Sequence, residues 1–159
     1  MTTAVLPEMT PVIVEHDELK LIGIPCVGLK TMKSKYENAK EGLLAVSGYL
    51  PQVVNPRVLY GMWPNAESQN NPDTHVYILC LEVSTFDGIP PWFVRLTVPP
   101  QKCVVAANGS GNYDAASKAV EDYIRENRIA FDRTPRDYVI CERYHLDGEG
   151  FAKYSLPIE

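Results

Sequence analysis

Residues 103–158 read CVVAANGSGNYDAASKAVEDYIRENRIAFDRTPRDYVICERYHLDGEGFAKYSLPI. The apolar run Cys103–Ala107 predicts a short strand, and apolar residues at helical spacing predict a helix over about Tyr113–Asn127. Asp137–His145 and Phe151–Ile158 predict two further strands, joined by the turn sequence DGEG. The stretch therefore predicts the order strand, helix, strand, strand.

Residues 19–85 repeat this order. In the predicted helix, Ser34 can act as the N-cap, and Glu37 three residues later completes a capping-box pattern. The last strand is apolar throughout, which predicts burial on both of its faces. The predicted strand, helix and two strands cover Leu19–Leu29, about Ser34–Leu50, Arg57–Trp63 and His75–Thr85.

The two stretches also share a local sequence at the joint between helix and strand, Asn55-Pro56-Arg57 in the first and Thr134-Pro135-Arg136 in the second. We therefore predict an α+β fold in which two strand-helix-strand-strand repeats form a curved antiparallel sheet with two helices. The whole chain, 1–159, is predicted to be a single domain. Its halves cover about residues 12–98 and 99–159, and residues 1–10 form a flexible tail.

A ligand cleft is expected between the halves, because pockets favour such interfaces. Aligning the two Pro-Arg pairs sets Trp63 against Glu142. The cleft would then have one aromatic wall and one acidic wall.

Composition narrows the class of partner. The net charge is −5 and no cluster of Lys or Arg is present, which argues against nucleic-acid binding. The N-terminal residues lack the pattern of a signal peptide, and no apolar run is long enough to span a membrane. The expected location is the cytoplasm.

Motifs for catalysis or metal binding are not found in the sequence. The four cysteines form no C-x-x-C pair, so a disulfide framework or a zinc site is disfavoured. Asn108-Gly-Ser-Gly111 lacks the P-loop lysine and the dinucleotide fingerprint, and is interpreted as a plain loop. His16, His75 and His145 share no metal-ligand spacing. The sequence predicts no cofactor, no metal and no enzymatic activity.

Glu142 lies in the middle of the otherwise apolar strand YVICERYH. Strict alternation places it on one face with Ile140 and Tyr144, and places Arg143 on the other face. A buried carboxylate is costly unless it is paired. Glu142 either pairs with a neighbouring Arg or lies on a solvated face, or it is an unpaired acid that awaits a cation near aromatic rings.

Aromatic residues are the second candidate feature. Tyr and Trp combine an apolar body with a polar tip, which suits the wall of a cavity, although each ring taken singly fits an ordinary core as well. Exposure of either tryptophan would argue against its place in the wall. The candidates are Tyr36, Tyr49, Tyr60, Trp63, Tyr77, Trp92, Phe93 and Tyr144.

Five short stretches, taken in order over about Val12–Ile158, resemble the GyrI-like, or AraC-type, bacterial effector-binding domain in its stand-alone form, as carried on integron cassettes. Cys103 departs from the pattern, since members often have an aromatic residue there. The stretches are Leu21-Ile-Gly-Ile24, Arg57-Val-Leu-Tyr-Gly61, Cys103-Val-Val-Ala106, Glu142-Arg-Tyr144 and Ser155-Leu-Pro-Ile158.

The resemblance implies a cleft that binds hydrophobic cations, with Glu142 contacting the positive charge. Many members carry a separate DNA-binding module, which is not found in this sequence. We expect a monomer or weak dimer that binds an amphipathic cation, either to sequester it or to signal through a protein partner. Two alternatives remain open: a hydrolase of reactive electrophiles that depends on Glu142, and a protein-binding inhibitor of a topoisomerase-like enzyme.

Overall fold

A computed structural model describes residues 5–159, which form one eight-stranded antiparallel sheet with two helices on one of its faces. The helices are α1, Met32–Ser47, and α2, Tyr113–Glu126, and single 3-10 turns cover Leu29–Thr31 and Glu67–Asn70. The strands are β1 Val12–His16, β2 Leu19–Val27, β3 Val58–Pro64, β4 Val76–Val83, β5 Val94–Val98, β6 Gln101–Asn108, β7 Tyr138–His145 and β8 Gly150–Tyr154.

The strand order is β1-β6-β8-β7-β3-β4-β2-β5. On either side of the central β3–β7 pair, each repeat contributes equivalent strands in mirrored order. The predicted duplication of strand, helix, strand, strand is therefore confirmed, as β2-α1-β3-β4 and β6-α2-β7-β8. One difference concerns β1, which lies beside β6, so the first strand of the chain belongs spatially to the second half.

The sheet is curled like half a barrel, and its two faces bury different cores. The face without helices forms one apolar cluster with contributions from β2 to β8, including Leu21, Met62 and Val105. On the other face, α1 packs Leu43 against β2 and β4, and α2 packs Val120 against β6. The predicted burial of β4 on both faces is confirmed, since its residues alternate between the two cores.

The helix termini differ in part from the prediction. α1 begins at Met32 after an N-cap at Thr31 that makes no side-chain hydrogen bond, and Ser34 Oγ donates to the Thr31 carbonyl instead. The predicted Ser34 capping box is therefore wrong, because the helix starts two residues earlier. In α2, by contrast, the Asn112 side chain accepts a hydrogen bond from the Ala115 amide and caps the helix.

The C-terminal strand also differs from the prediction. The final strand ends at Tyr154 rather than at Ile158, and Ile158 instead forms a single bridge with Phe131. Residues 5–10 of the predicted tail lie beside β6, where Glu8 bridges Ala107 and its carboxylate accepts from the Gly109 amide. The rest of that tail lies outside the described residues. No helix within residues 5–159 is both long enough and apolar enough to cross a membrane.

Candidate ligand-binding cleft

A cavity of about 360 Å³ opens on the helix-bearing face, over the centre of the sheet where the two repeats meet. The segments before α1 and α2 border it on opposite sides, and β3, β4, β7 and β8 form its floor. A cleft between the two repeats agrees with the expectation from the sequence. Its lining, called the cleft below, comprises Leu29, Met32, Trp63, His75, Tyr77, Gly111, Tyr113, Glu142, Tyr144 and Phe151.

Glu142 lies on the floor of the cleft with 8% of its surface exposed. Its Oε1 accepts hydrogen bonds from Tyr77 Oη at 2.5 Å and Tyr144 Oη at 2.8 Å. Within residues 5–159 no hydrogen bond or ion pair reaches Oε2. One carboxylate oxygen is thus fixed by two phenols, and the other is available to a ligand.

A β-bulge sets the direction of the Glu142 side chain. Gly61 pairs with Glu142, but the next residue of β3, Met62, pairs with Ile140, so Cys141 is the extra residue. Strict alternation along β7 is broken at this point. Ile140 packs on the helix-free face, whereas Cys141 and Tyr144 pack on the helix-bearing face. For this reason, the prediction that Ile140 lies on the same face as Glu142 is wrong. The prediction that Tyr144 lies on the same face as Glu142 is correct.

The three tyrosines around Glu142 keep their protons. Burial, followed by the nearby Glu142 charge, raises the pKa of Tyr77 and of Tyr144 well above the ordinary value. The pKa of Tyr36 is raised to about 12, mainly by burial. Neutral phenols can donate hydrogen bonds to a carboxylate without adding a charge of their own.

Aromatic rings continue from Glu142 around the cleft. Tyr36 lies 5.6 Å from Tyr144 between ring centroids and 6.0 Å from Tyr77. Phe151 links Tyr144 at 5.8 Å with Tyr113 at 6.2 Å. These distances are typical of interacting rings. Such a wall can bury an apolar body and can present ring faces to a positive charge.

Lys153 brings a positive charge to the same region. It lies opposite Glu142 in the register of β7 and β8, and it is 9% exposed. Its Nζ lies 5.4 Å from the centroid of the Trp63 ring and 5.1 Å from that of Tyr113, and it donates to the Cys141 carbonyl at 3.2 Å. A protein cation therefore already occupies the space between two rings at the edge of the cleft.

Of the nine residues predicted for the site, the structure brings five together. Glu142, Trp63, Tyr77 and Tyr144 line the cleft, and Tyr36 packs behind Tyr77 and Tyr144. The alternative in which Glu142 forms an ion pair with a neighbouring Arg is not found within residues 5–159, since Arg143 bonds Glu149 on the other face.

The other four predicted residues lie elsewhere. Tyr60 points to the helix-free face. It is next to Gly61 on β3, and neighbouring residues of a strand point to opposite faces of the sheet. Phe93 is buried in the core beneath α1 and lies outside the lining of the cleft. Tyr49 and Trp92 lie in turns after α1 and before β5, where they are 84% and 76% exposed. The prediction that these four residues line the cavity is therefore incorrect.

Other contributors to the site were not predicted from the sequence. They are the lining residues Leu29, Met32, His75, Gly111, Tyr113 and Phe151, together with Lys153 and Gly61. Phe151 and Lys153 are two residues apart on β8, and the tight turn before them fixes their register against Tyr144 and Glu142. The DGEG turn in the sequence was sufficient to predict this register. Tyr113 follows the NGSG loop, which is confirmed as a loop and carries Gly111 into the lining of the cleft.

Gly61 provides space for Tyr77. A Cβ atom at position 61 would lie 2.0 Å from Tyr77 Oη and 2.5 Å from its Cζ. Because Tyr77 is 7% exposed, its ring has little room to move away. Gly61 thus permits the hydrogen bond between Tyr77 and Glu142.

Substituting Gly61→Ala is therefore expected to displace the Tyr77 ring and to lower the free energy of unfolding by about 1–3 kcal/mol, as overpacking does. Urea denaturation measures this loss. Gly48→Ala is the matched control, because nothing lies within 4 Å of the added Cβ at the end of α1. Equal stability of the two variants would contradict the packing described.

Two further cavities adjoin the cleft. A groove of about 690 Å³ shares Trp63 and His75 with it and extends toward residues 131–136. A cavity of about 270 Å³ lies between α2 and β8 and shares Tyr113. The cleft can therefore hold a ligand that is longer than its central chamber.

Across residues 5–159 no group of three or more His, Cys, Asp or Glu side chains could hold a metal ion. The four cysteines are free and buried.

No protein-family model matches the sequence, and no curated protein matches it either. Solved structures do match the fold. The EcmrR C-terminal domain superposes with a TM-score of 0.60 at 14% identity, over 94% of this chain and 97% of that one. The structure of SAV2435 bound to tetraphenylphosphonium gives 0.59 at 13% identity, over 94% and 93%.

A hydrolase encoded by lin2189 from Listeria innocua gives a TM-score of 0.56 at 12% identity, over 96% of this chain and 93% of that one. This chain spans 57% of the longer EcmrR chain in its complex with DNA. At such low identities these matches establish the fold. The chain has the fold of the EcmrR C-terminal domain and of SAV2435.

Proposed function

We propose that this protein binds an amphipathic small molecule in the cleft and that Glu142 contacts a cationic group of that ligand. The observation that carries the proposal is the carboxylate itself. It lies on the floor of an aromatic cavity, with Oε1 held by two phenols and Oε2 without a hydrogen bond inside residues 5–159. A ligand cation would complete the coordination of a carboxylate that is largely removed from water.

The walls support the same type of ligand. The rings of Tyr144, Phe151 and Trp63 offer apolar surface and faces of negative potential, which together suit a hydrophobic cation. The net charge of −5 favours the approach of a cation as well. SAV2435, which shares the fold, was solved with tetraphenylphosphonium bound. Binding without chemistry, as a sensor or a sequestering protein, is the proposed role.

The two tryptophans allow a direct binding assay. Trp63 lines the cleft, whereas Trp92 is 76% exposed and lies outside the lining. A Trp92→Phe variant therefore reports on the cleft through Trp63 alone, and a Trp63→Phe variant, which keeps Trp92, is the control. Two probes of equal shape are used, benzyltrimethylammonium and neopentylbenzene. They differ in one central atom, which is a positively charged nitrogen in the first and a neutral carbon in the second.

In the Trp92→Phe protein, Glu142→Gln is expected to weaken binding of benzyltrimethylammonium by about tenfold or more and to leave neopentylbenzene nearly unchanged. The reason is that two opposite unit charges about 5 Å apart attract each other by about 3 kcal/mol at the effective dielectric constant of a protein site, more than the roughly 1.4 kcal/mol that corresponds to a tenfold change in affinity. Quenching of Trp63 fluorescence measures both affinities. Glutamine keeps the shape of the side chain and can still accept from the two tyrosines.

Glu82→Gln is the matched control: it changes a half-buried carboxylate on β4 outside the lining of the cleft and should leave both affinities unchanged. Equal weakening of the charged and the neutral probe by Glu142→Gln would contradict the role assigned to its charge.

A second candidate function, hydrolysis, is favoured by the same free oxygen. A carboxylate fixed through Oε1 can use Oε2 as a general base toward water. The lin2189 protein, with the same fold, is described as a hydrolase. Turnover of small electrophilic ring compounds that disappears in Glu142→Gln would support this second function, whereas binding without turnover supports the first.

A further inference from the structure

Lys153 places a positive charge beside Glu142, the residue that contacts the ligand cation in the proposed function. The two residues face each other across β7 and β8 on the face that bears the cleft. Nevertheless the six ion pairs found within residues 5–159 do not join them. The site therefore contains one negative and one positive group that are close together but not bonded to each other.

The Lys153 ammonium is held away from Glu142. It lies between the rings of Trp63 and Tyr113 and donates to the backbone carbonyl of Cys141. An ammonium has three N–H donors, and in the described part of the chain the Cys141 carbonyl is the one acceptor found for them. The residue is 9% exposed, and the ion pairs found within residues 5–159 give its charge no counter-ion.

The position of Lys153 also separates two compartments. Lys153 lines the cavity of about 270 Å³ between α2 and β8, Glu142 lines the cleft of about 360 Å³, and Tyr113 is shared by both. A ligand that extends past Tyr113 can therefore meet both charges. A ligand with a lone cation gains the attraction of Glu142 but also meets repulsion from Lys153.

We infer that the ligand is a zwitterion: an amphipathic molecule whose ammonium group contacts Glu142 and whose neighbouring carboxylate or similar anion contacts Lys153. This inference rests on the proposed function, because it assigns the second half of the same ligand. An anion beside Lys153 would supply the missing counter-ion and would use the free N–H donors. The apolar body of the ligand would pack on the rings of the cleft.

The test compares two probes that differ by one carboxylate, benzyltrimethylammonium and its betaine, N-benzyl-N,N-dimethylglycine. Both are titrated against Trp63 fluorescence in the Trp92→Phe protein and in three further variants on that background, Lys153→Met, Lys153→Arg and Lys102→Met. Methionine retains the apolar stem of lysine and removes the charge. Lys102 on the adjoining strand β6 lines neither compartment and is the matched control.

With Lys153 intact, the betaine is expected to bind about tenfold more tightly than benzyltrimethylammonium, which corresponds to one favourable charge contact. Lys153→Met is expected to reverse this order by weakening the betaine and strengthening the lone cation. Lys153→Arg should retain the preference for the betaine, and Lys102→Met should leave both affinities unchanged. Thermal unfolding of each variant shows that the fold is kept.

Tighter binding of the lone cation in the Trp92→Phe protein would overturn the inference, and so would equal changes for both probes in Lys153→Met. In either case the proposed function would stand, since both probes carry the ammonium group. The absence of saturable quenching by both probes would instead overturn the proposed function, and the inference would fall with it.

Discussion

Arg143→Met is expected to lower the free energy of unfolding by about 3–5 kcal/mol, the usual cost of removing one partner of a buried ion pair. Arg143 bonds Glu149 at 2.5 Å, and both side chains are 1% exposed. Without the guanidinium, the Glu149 carboxylate would remain buried with no counter-ion. Urea denaturation measures the loss through the shift in midpoint.

A second ion pair at the same turn provides the control. Arg57 bonds Asp147 at 3.1 Å, but the two side chains are 49% and 62% exposed. Arg57→Met is therefore expected to cost at most about 1 kcal/mol. The double change Arg143→Met with Glu149→Met should regain most of the stability, because apolar residues can replace a buried pair. Equal costs for the two single arginine variants would show that the buried pair does not hold the β7–β8 hairpin.

Acidification from pH 6.5 to pH 4 is expected to lower the free energy of unfolding by up to about 3 kcal/mol through His16 alone. Burial first, and then the positive charge of Arg143, lower the pKa of His16 to about 4. The ring lies 5.8 Å from Tyr60 and 5.6 Å from Tyr154 between centroids, and its Nε2 is 2.7 Å from Tyr154 Oη.

The sign follows from proton binding. Between pH 4 and 6.5 the unfolded chain protonates His16, whereas the folded protein keeps it neutral, so stability decreases as the pH falls through this range. Well above pH 6.5 neither state binds this proton, and the contribution of His16 to the free energy of unfolding stays constant. Asp122 and Asp132, whose pKa values are lowered, lose their contributions only at lower pH.

The measurement is urea denaturation at a series of pH values for the native sequence and for His16→Gln, which removes the titrating ring. The variant should lose about 3 kcal/mol less than the native sequence between pH 6.5 and 4. Glu82, whose raised pKa acts in the opposite direction, is present in both proteins and cancels. Parallel curves for the two proteins would contradict the neutral, buried state of His16.

Much of the fold could be predicted from the sequence because its signals are local. Apolar periodicity located both helices and each repeat's strands, and the shared order of elements indicated the duplication. The pairing of β1 with β6 could not be predicted, since nothing within Val12–His16 specifies a partner that lies far away in sequence. Edge pairings of this kind depend on the assembled sheet.

The candidate site was predictable only in part, for two physical reasons. Alternation along β7 fails at the bulge near Cys141, and the extra residue leaves no signature in the apolar pattern. Aromatic content does not distinguish a cavity wall from a core or a turn, as Tyr60 and Trp92 show. Lys153 was overlooked because a lone lysine ordinarily indicates an exposed position.

The structure of the protein with bound 4-bromobenzyltrimethylammonium would test the proposed cleft most directly, because anomalous scattering locates the bromine without ambiguity. We predict the ammonium in contact with Glu142 Oε2 and the ring packed against Tyr144 and Phe151, with Tyr77 still bonded to Oε1. Ligand density confined to the groove near residues 131–136, away from Glu142, would contradict the proposed function.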